Sequence, residues 1–186
     1  VVTMRIRVNN YSDQPLAGLS LSDTLPNPTP QQQLRIAAPA NASTTCGGTV
    51  VAAPNSTSLA LNGGTLAARN AGTNAPASCE IQVDVVGPAG IYNNTASVSA
   101  TQTYADGSTA AINGVASNTA TLTYNAALAA AKSFSPASVT SGGKSRVTIR
   151  LTNNDATAPI SGINITDPLP NGGGNTMVLA TPLNVY

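Results

Sequence analysis

Histidine and tryptophan are both missing from these 186 residues, and phenylalanine occurs once, as Phe134. Without histidine, no Ser-His-Asp or Cys-His constellation can be assembled, and a metal site would lack its commonest nitrogen ligand. Charge is scarce too. Asp, Glu, Lys and Arg make up 8% of the chain, against roughly 25% in ordinary soluble domains. The net charge is +1, and no run of three basic residues occurs. A nucleic-acid partner, which would need a clustered positive surface, is therefore not expected. No apolar stretch approaches the roughly 18–20 residues that span a membrane. The most apolar window, residues 126–131, is short and Ala-rich, so no membrane insertion is expected in this segment.

What remains is 41% hydrophobic, built from Val, Leu, Ile and Ala, with polarity supplied by Ser, Thr and Asn. That mixture suits half-buried strands with solvated outer faces. Alternation appears at Leu59 and Leu61, at Ile81, Val83 and Val85, at Ala96, Val98 and Ala100, and at Ala120, Leu122 and Tyr124. Turn residues punctuate it: Pro54-Asn55, Asn62-Gly63-Gly64, Gly87-Pro88, Gly142-Gly143 and Asn171-Gly172-Gly173-Gly174. Asp106-Gly107 reads as a hairpin tip. Residues 27–46 and 67–78 read as irregular. The segment 126–132 has high helix propensity but is only about two turns long, and reads as the linker and first strand of the next copy.

An internal repeat organises these strands. Residues 1–26 and 145–170 each give an alternating strand, an Asn, a polar turn with Pro and Gly, a second strand, an Asp and Leu-Pro. Gly18, Asp23 and Leu25-Pro26 match Gly162, Asp167 and Leu169-Pro170 at an offset of 144. In the first strand Met4, Ile6, Val8 and Asn10 match Val147, Ile149, Leu151 and Asn153 at 143. The added residue falls in the turn, where it does no harm; inside a strand it would flip every side chain to the other face. The reading is an all-β, immunoglobulin-like Greek-key β-sandwich, in tandem repeats with a period near 143 residues. Residues 1–125 form a repeat lacking its leading strand. Residues 126–186 hold the linker, the leading strand and the first half of the next repeat. The sequence is thus expected to be a window on a longer repetitive chain, with any export signal outside it.

The ordered motifs also resemble a family. Lys132-Ser-Phe-Ser-Pro136, Gly142-Gly143, Leu151-Thr-Asn-Asn154, Gly162-Ile-Asn-Ile-Thr-Asp167 and Leu169-Pro170 occur in one copy. Thr45-Cys46-Gly-Gly-Thr49, Gly64-Thr-Leu66, Cys79-Glu-Ile-Gln-Val83 and Gly90-Ile-Tyr-Asn-Asn-Thr95 continue the pattern in the other. Together they resemble the repeat domain of bacterial and archaeal surface proteins known as the domain of unknown function eleven. The resemblance covers nearly the whole chain. It implies tandem β-sandwich modules in large exported proteins, and no catalytic activity.

Candidate special residues are few. Cys46 and Cys79 fit neither a CxxC redox motif nor a zinc site. They are either two buried thiols or, the better reading, one structural disulfide. A disulfide would add about 3–4 kcal/mol on a chain-entropy account and imply an oxidising compartment. Asp23 and Asp167 read as turn caps that accept backbone N–H groups. Asn10 and Asn153 are expected to tie the following turn to a neighbouring strand. For calcium, only Asn153-Asn154-Asp155 and Asp106-Gly107-Ser108 offer faint oxygen clusters, and neither metal nor cofactor is expected. Sequons occur at Asn10, Asn41, Asn55, Asn93 and Asn164; the loop sites Asn41 and Asn55 remain open. Lys132 reads as a solvated linker lysine, with a Lys–Asn isopeptide crosslink as the competing idea.

The expected function is structural: a non-enzymatic spacer and self-association module of an extracellular fibre, stalk or adhesin, whose partners are further copies of the same repeat. Two competitors stand beside it. A carbohydrate or host-surface binding module would draw on Tyr11, Tyr92, Tyr104, Tyr124, Tyr186 or Phe134. A pilus-like subunit would be joined by strand donation.

Overall fold

The computed structural model describes residues 1–155, 158–172, 175–183 and 185, and among these there is no helix. The chain divides into two compact units, Val1–Asn125 and Ala126–Tyr186.

The first unit is two antiparallel sheets around one core. One sheet has β1 (Val2–Asn10) at its edge, β7 (Ala77–Val86) beside it, and two short strands, β3 (Arg35–Ile36) and β4 (Ser43–Thr44), on the far side of β7. The other runs β10 (Thr109–Ala116), β9 (Ala96–Thr103), β2 (Leu16–Thr24), β6 (Ser58–Leu66) and β5 (Thr49–Val51). A separate pair, β8 (Gly90–Asn94) and β11 (Ala120–Tyr124), completes the unit.

Period-two alternation explains why these residues form strands. Along β7, Cys79, Ile81, Val83 and Val85 are buried, and the residues between them face outward. Leu59, Leu61 and Leu66 of β6 and Leu19 and Leu21 of β2 meet them from the other sheet, in one continuous cluster. Each fully buried aliphatic side chain contributes about 1.5–3 kcal/mol. Aromatics being so few, the largest core residue is Tyr92. Its ring packs edge-on against Tyr124 at 6.0 Å. Both hydroxyls donate to carbonyls, of Pro88 and Val85 respectively.

Register irregularities in β2 fall around Gly18, whose φ is +58°. A side chain there would be strained in the left-handed region. Its counterpart Gly162 has a φ of +68°. β9 and β10 join through Tyr104–Ser108, with Gly107 at φ +83°.

In the second unit, β12 (Leu128–Ser135) pairs antiparallel with β13 (Arg146–Asn153), placing Lys132 opposite Ile149. The strand begins at Leu128, inside the 126–132 segment that reads as linker and first strand. A short pair, β14 (Asn171–Gly172) with β15 (Asn175–Thr176), follows. The predicted Gly173-Gly174 part of its turn lies outside the described residues. The irregular 27–46 stretch carries β3 and β4, two residues each, too short for any periodicity to announce.

Candidate functional site

Cys46 and Cys79 form a disulfide, both residues being buried. It ties the end of β4 to β7 across a separation of 33 residues. An oxidising compartment is compatible with this bond. No helix among the described residues is long and apolar enough to cross a membrane.

Asn10, at the end of β1, is 3% exposed. Its Nδ2 donates to the carbonyls of Gln14 and Ala67, each at 2.8 Å, and its Oδ1 accepts the Ser12 N–H. One amide thus closes the β1–β2 turn and fastens it to the end of β6. Asn153 closes the corresponding turn in the second unit, donating to Ala158 and accepting from the Asp155 N–H. Its acceptor is five residues away instead of four, which is where the extra residue of the repeat lies.

Asp23 does not cap a turn. It lies inside β2, between the partners Leu59 and Ala96, and is 2% exposed. The N–H two residues on, that of Leu25, already donates to the Thr57 carbonyl. Its carboxylate instead accepts the Asn94 side-chain amide at 2.8 Å. Asp167, its counterpart, takes the Lys132 ammonium on its Oδ1 at 2.7 Å. Lys132 is therefore a strand residue with an acidic partner, lying also 5.4 Å from the Phe134 ring centroid.

Asp23 and Asn94 form the one buried polar pair whose hydrogen bonding is incomplete among the described residues. Asp23 Oδ1 and Asn94 Oδ1 are both buried without a hydrogen-bond partner. Such orphans each cost about 1–3 kcal/mol, so their retention asks for an explanation. Beside them, under the free edge of β1, is a cavity of about 330 Å³ lined by Met4, Ile6, Asp23, Asn94, Ala96 and Ser117, among others. No local pattern singles out Asn94, although it belongs to the Gly90–Thr95 motif. Its partner lies 71 residues away in the chain.

Burial pushes the Asp23 carboxyl above its ordinary value, with the Asn94 hydrogen bond opposing in part. Below the ordinary value of about 3.9 the group is protonated in both folded and unfolded chains, and burial of charge costs nothing. Between that value and the raised one the folded state holds more protons, so stability falls as pH rises; above the raised value the full cost applies. Asp23→Asn is isosteric, keeps an acceptor for Asn94, and adds a donor for its orphaned oxygen. Urea midpoints of this variant should exceed those of the parent at pH 7, with the gain contracting towards pH 4. A gain independent of pH would mean the charge is not its source.

The remaining candidates have local roles. The oxygens of Asp106, Asn153 and Asp155 accept nearby N–H groups in their own turns. No cluster of three acidic or cysteine ligands occurs among the described residues. The Asn10 amide is committed to two carbonyls and buried, Asn93 of β8 accepts the Thr121 hydroxyl of β11, and Asn41 donates to Asp84. Asn55 sits in a loop with φ +65°. Tyr92 and Tyr124 belong to the interior, whereas Tyr11 and Tyr104 are 69% and 40% exposed. Tyr186 lies outside the described residues.

Compared with known proteins, the chain matches one family model, described as a domain of unknown function (DUF7933), over residues 1–123 and 129–185. No curated protein and no solved structure matches it.

Proposed function

We propose a structural role, from the premise that the chain belongs to the DUF7933 family along nearly its whole length. In this reading it is a tandem-repeat spacer of an extracellular fibre, stalk or adhesin, with immunoglobulin-like Greek-key units. The observation that carries it is the recurrence of one device in both units. Asn10 and Asn153 end corresponding strands and close corresponding turns with the same amide, and Gly18 and Gly162 share a positive φ. A device repeated at a fixed period is what a modular array requires, since each unit then solves its folding problem in the same way. The crossings from β1 to β2 and from β6 to β7, which pass between the two sheets, suit a Greek-key sandwich. The resemblance to surface-protein repeats and the disulfide support an extracellular setting.

Chains carrying one, two and four complete units, compared by small-angle scattering, should lengthen by a constant increment. A strand of about ten residues at 3.3–3.4 Å rise suggests roughly 30–40 Å per unit. A glycan array probed with the same chains should show no saturable binding. Saturable binding to one glycan class, abolished by Tyr11→Ala or Tyr104→Ala, would favour the ligand-binding reading instead.

A further inference from the structure

The two units each hold part of one arrangement. In the second, β12 lies along β13 and its Lys132 reaches Asp167. In the first, β1 corresponds to β13 and Asp23 corresponds to Asp167, but the outer edge of β1 pairs with no strand among the described residues. Asp23 there holds Asn94 instead, and the position corresponding to Asn94 in the second unit falls beyond residue 186. The aspartate is common to both. Brought together on it, the amine, the acid and the amide form one constellation.

The register makes the superposition definite. Lys132 sits opposite Ile149, whose counterpart is Ile6, and Ile6 lines the cavity that holds Asp23 and Asn94. A strand like β12 laid along β1 in the same register therefore delivers its lysine into that cavity. The ammonium would meet the two orphaned oxygens, Asp23 Oδ1 and Asn94 Oδ1.

We infer that Asp23 and Asn94 are two members of an isopeptide-forming site, completed by Lys132 of the Leu128–Ser135 strand from a second copy of this chain. In the buried site the ammonium gives a proton to the Asp23 carboxylate, and the neutral Nζ attacks Asn94 Cγ. The Nζ–Cγ bond forms and the Cγ–Nδ2 bond breaks. Asp23, already hydrogen-bonded to Nδ2, passes that proton to it and ammonia leaves; the freed carboxylate then takes the second proton from Nζ and yields it to the ammonia, which departs as ammonium. No oxidant, metal or cofactor enters the balance. Burial, which raises the Asp23 carboxyl, favours the first proton transfer. The inference goes beyond the spacer reading, and its failure would leave that reading standing.

The test adds a synthetic peptide of residues 126–143 in excess to the full chain at neutral pH and follows the intact mass. The expected product is chain plus peptide less one ammonia, with tandem mass spectrometry placing the link between Lys132 of the peptide and Asn94. A Lys132→Arg peptide, which leaves the protein untouched, should give no adduct. Asn94→Ala should give none, and Asp23→Ala should slow the reaction at least about 100-fold, the usual worth of a positioned acid–base group. Whole chains at high concentration should form dimers that survive denaturing, reducing gels, and Lys132→Arg chains should not. Absence of any adduct from the unaltered pair overturns the proposal. So does an adduct that persists with the Lys132→Arg peptide or with Asn94→Ala.

Discussion

Reducing the Cys46–Cys79 bond, or replacing both cysteines by serine, should lower the stability of the first unit by about 3–4 kcal/mol and its thermal midpoint by roughly 10 °C. The reasoning begins with what the bond encloses. Between the two cysteines lie β5, β6 and the long 67–76 connection, so the free chain would otherwise explore many conformations of this loop. In the folded unit both sulfurs are inside the core cluster. Reduction therefore also leaves two thiols in an apolar place they tolerate well, and the loss should come mainly from the unfolded chain. Calorimetry with and without reductant measures it. Equal midpoints in the two conditions would mean that packing alone sets the stability of the unit.

Asn10→Ala should be nearly as damaging, at about 3 kcal/mol. The change strands two carbonyls, of Gln14 and Ala67, and one N–H, of Ser12. Unsatisfied buried groups cost about 1–3 kcal/mol each. Asn153→Ala removes a corresponding amide, but Asn153 is exposed, and water can serve the groups it releases. Its cost should stay near 1 kcal/mol. Denaturant melts of the two variants give the comparison. Equal losses would show that burial of the turn does not govern the effect.

These residues also show what the sequence could and could not reveal. Alternation made the strands of β6, β7 and β9 legible, because one face of each is buried and the other is not. The Asn at the end of the repeated strand was legible as a turn-fastening residue, since an amide at a strand end has few other uses. Asp23 misleads because an Asp shortly before Leu-Pro looks like a turn on its own. Only the fold shows that the neighbouring N–H is already taken by Thr57 and that the carboxylate turns to Asn94. Lys132 misleads for a related reason. Its Ala-rich surroundings carry no alternation, and the pairing with β13 that makes them a strand is supplied by residues 146–153. The Asp23–Asn94 pair joins residues from β2 and β8, and no local pattern connects two strands so distant in sequence.

The disulfide has a further consequence once the chain is regarded as a tether. If a module is stretched from its ends, the residues between Cys46 and Cys79 cannot unravel while the bond stands. At 3.3–3.6 Å per extended residue, a separation of 33 residues withholds about 110–120 Å of contour length. The bond thus sets a ceiling on how far a tugged unit can give way. It also keeps β7 stitched to the end of β4 after the chain ends have begun to peel.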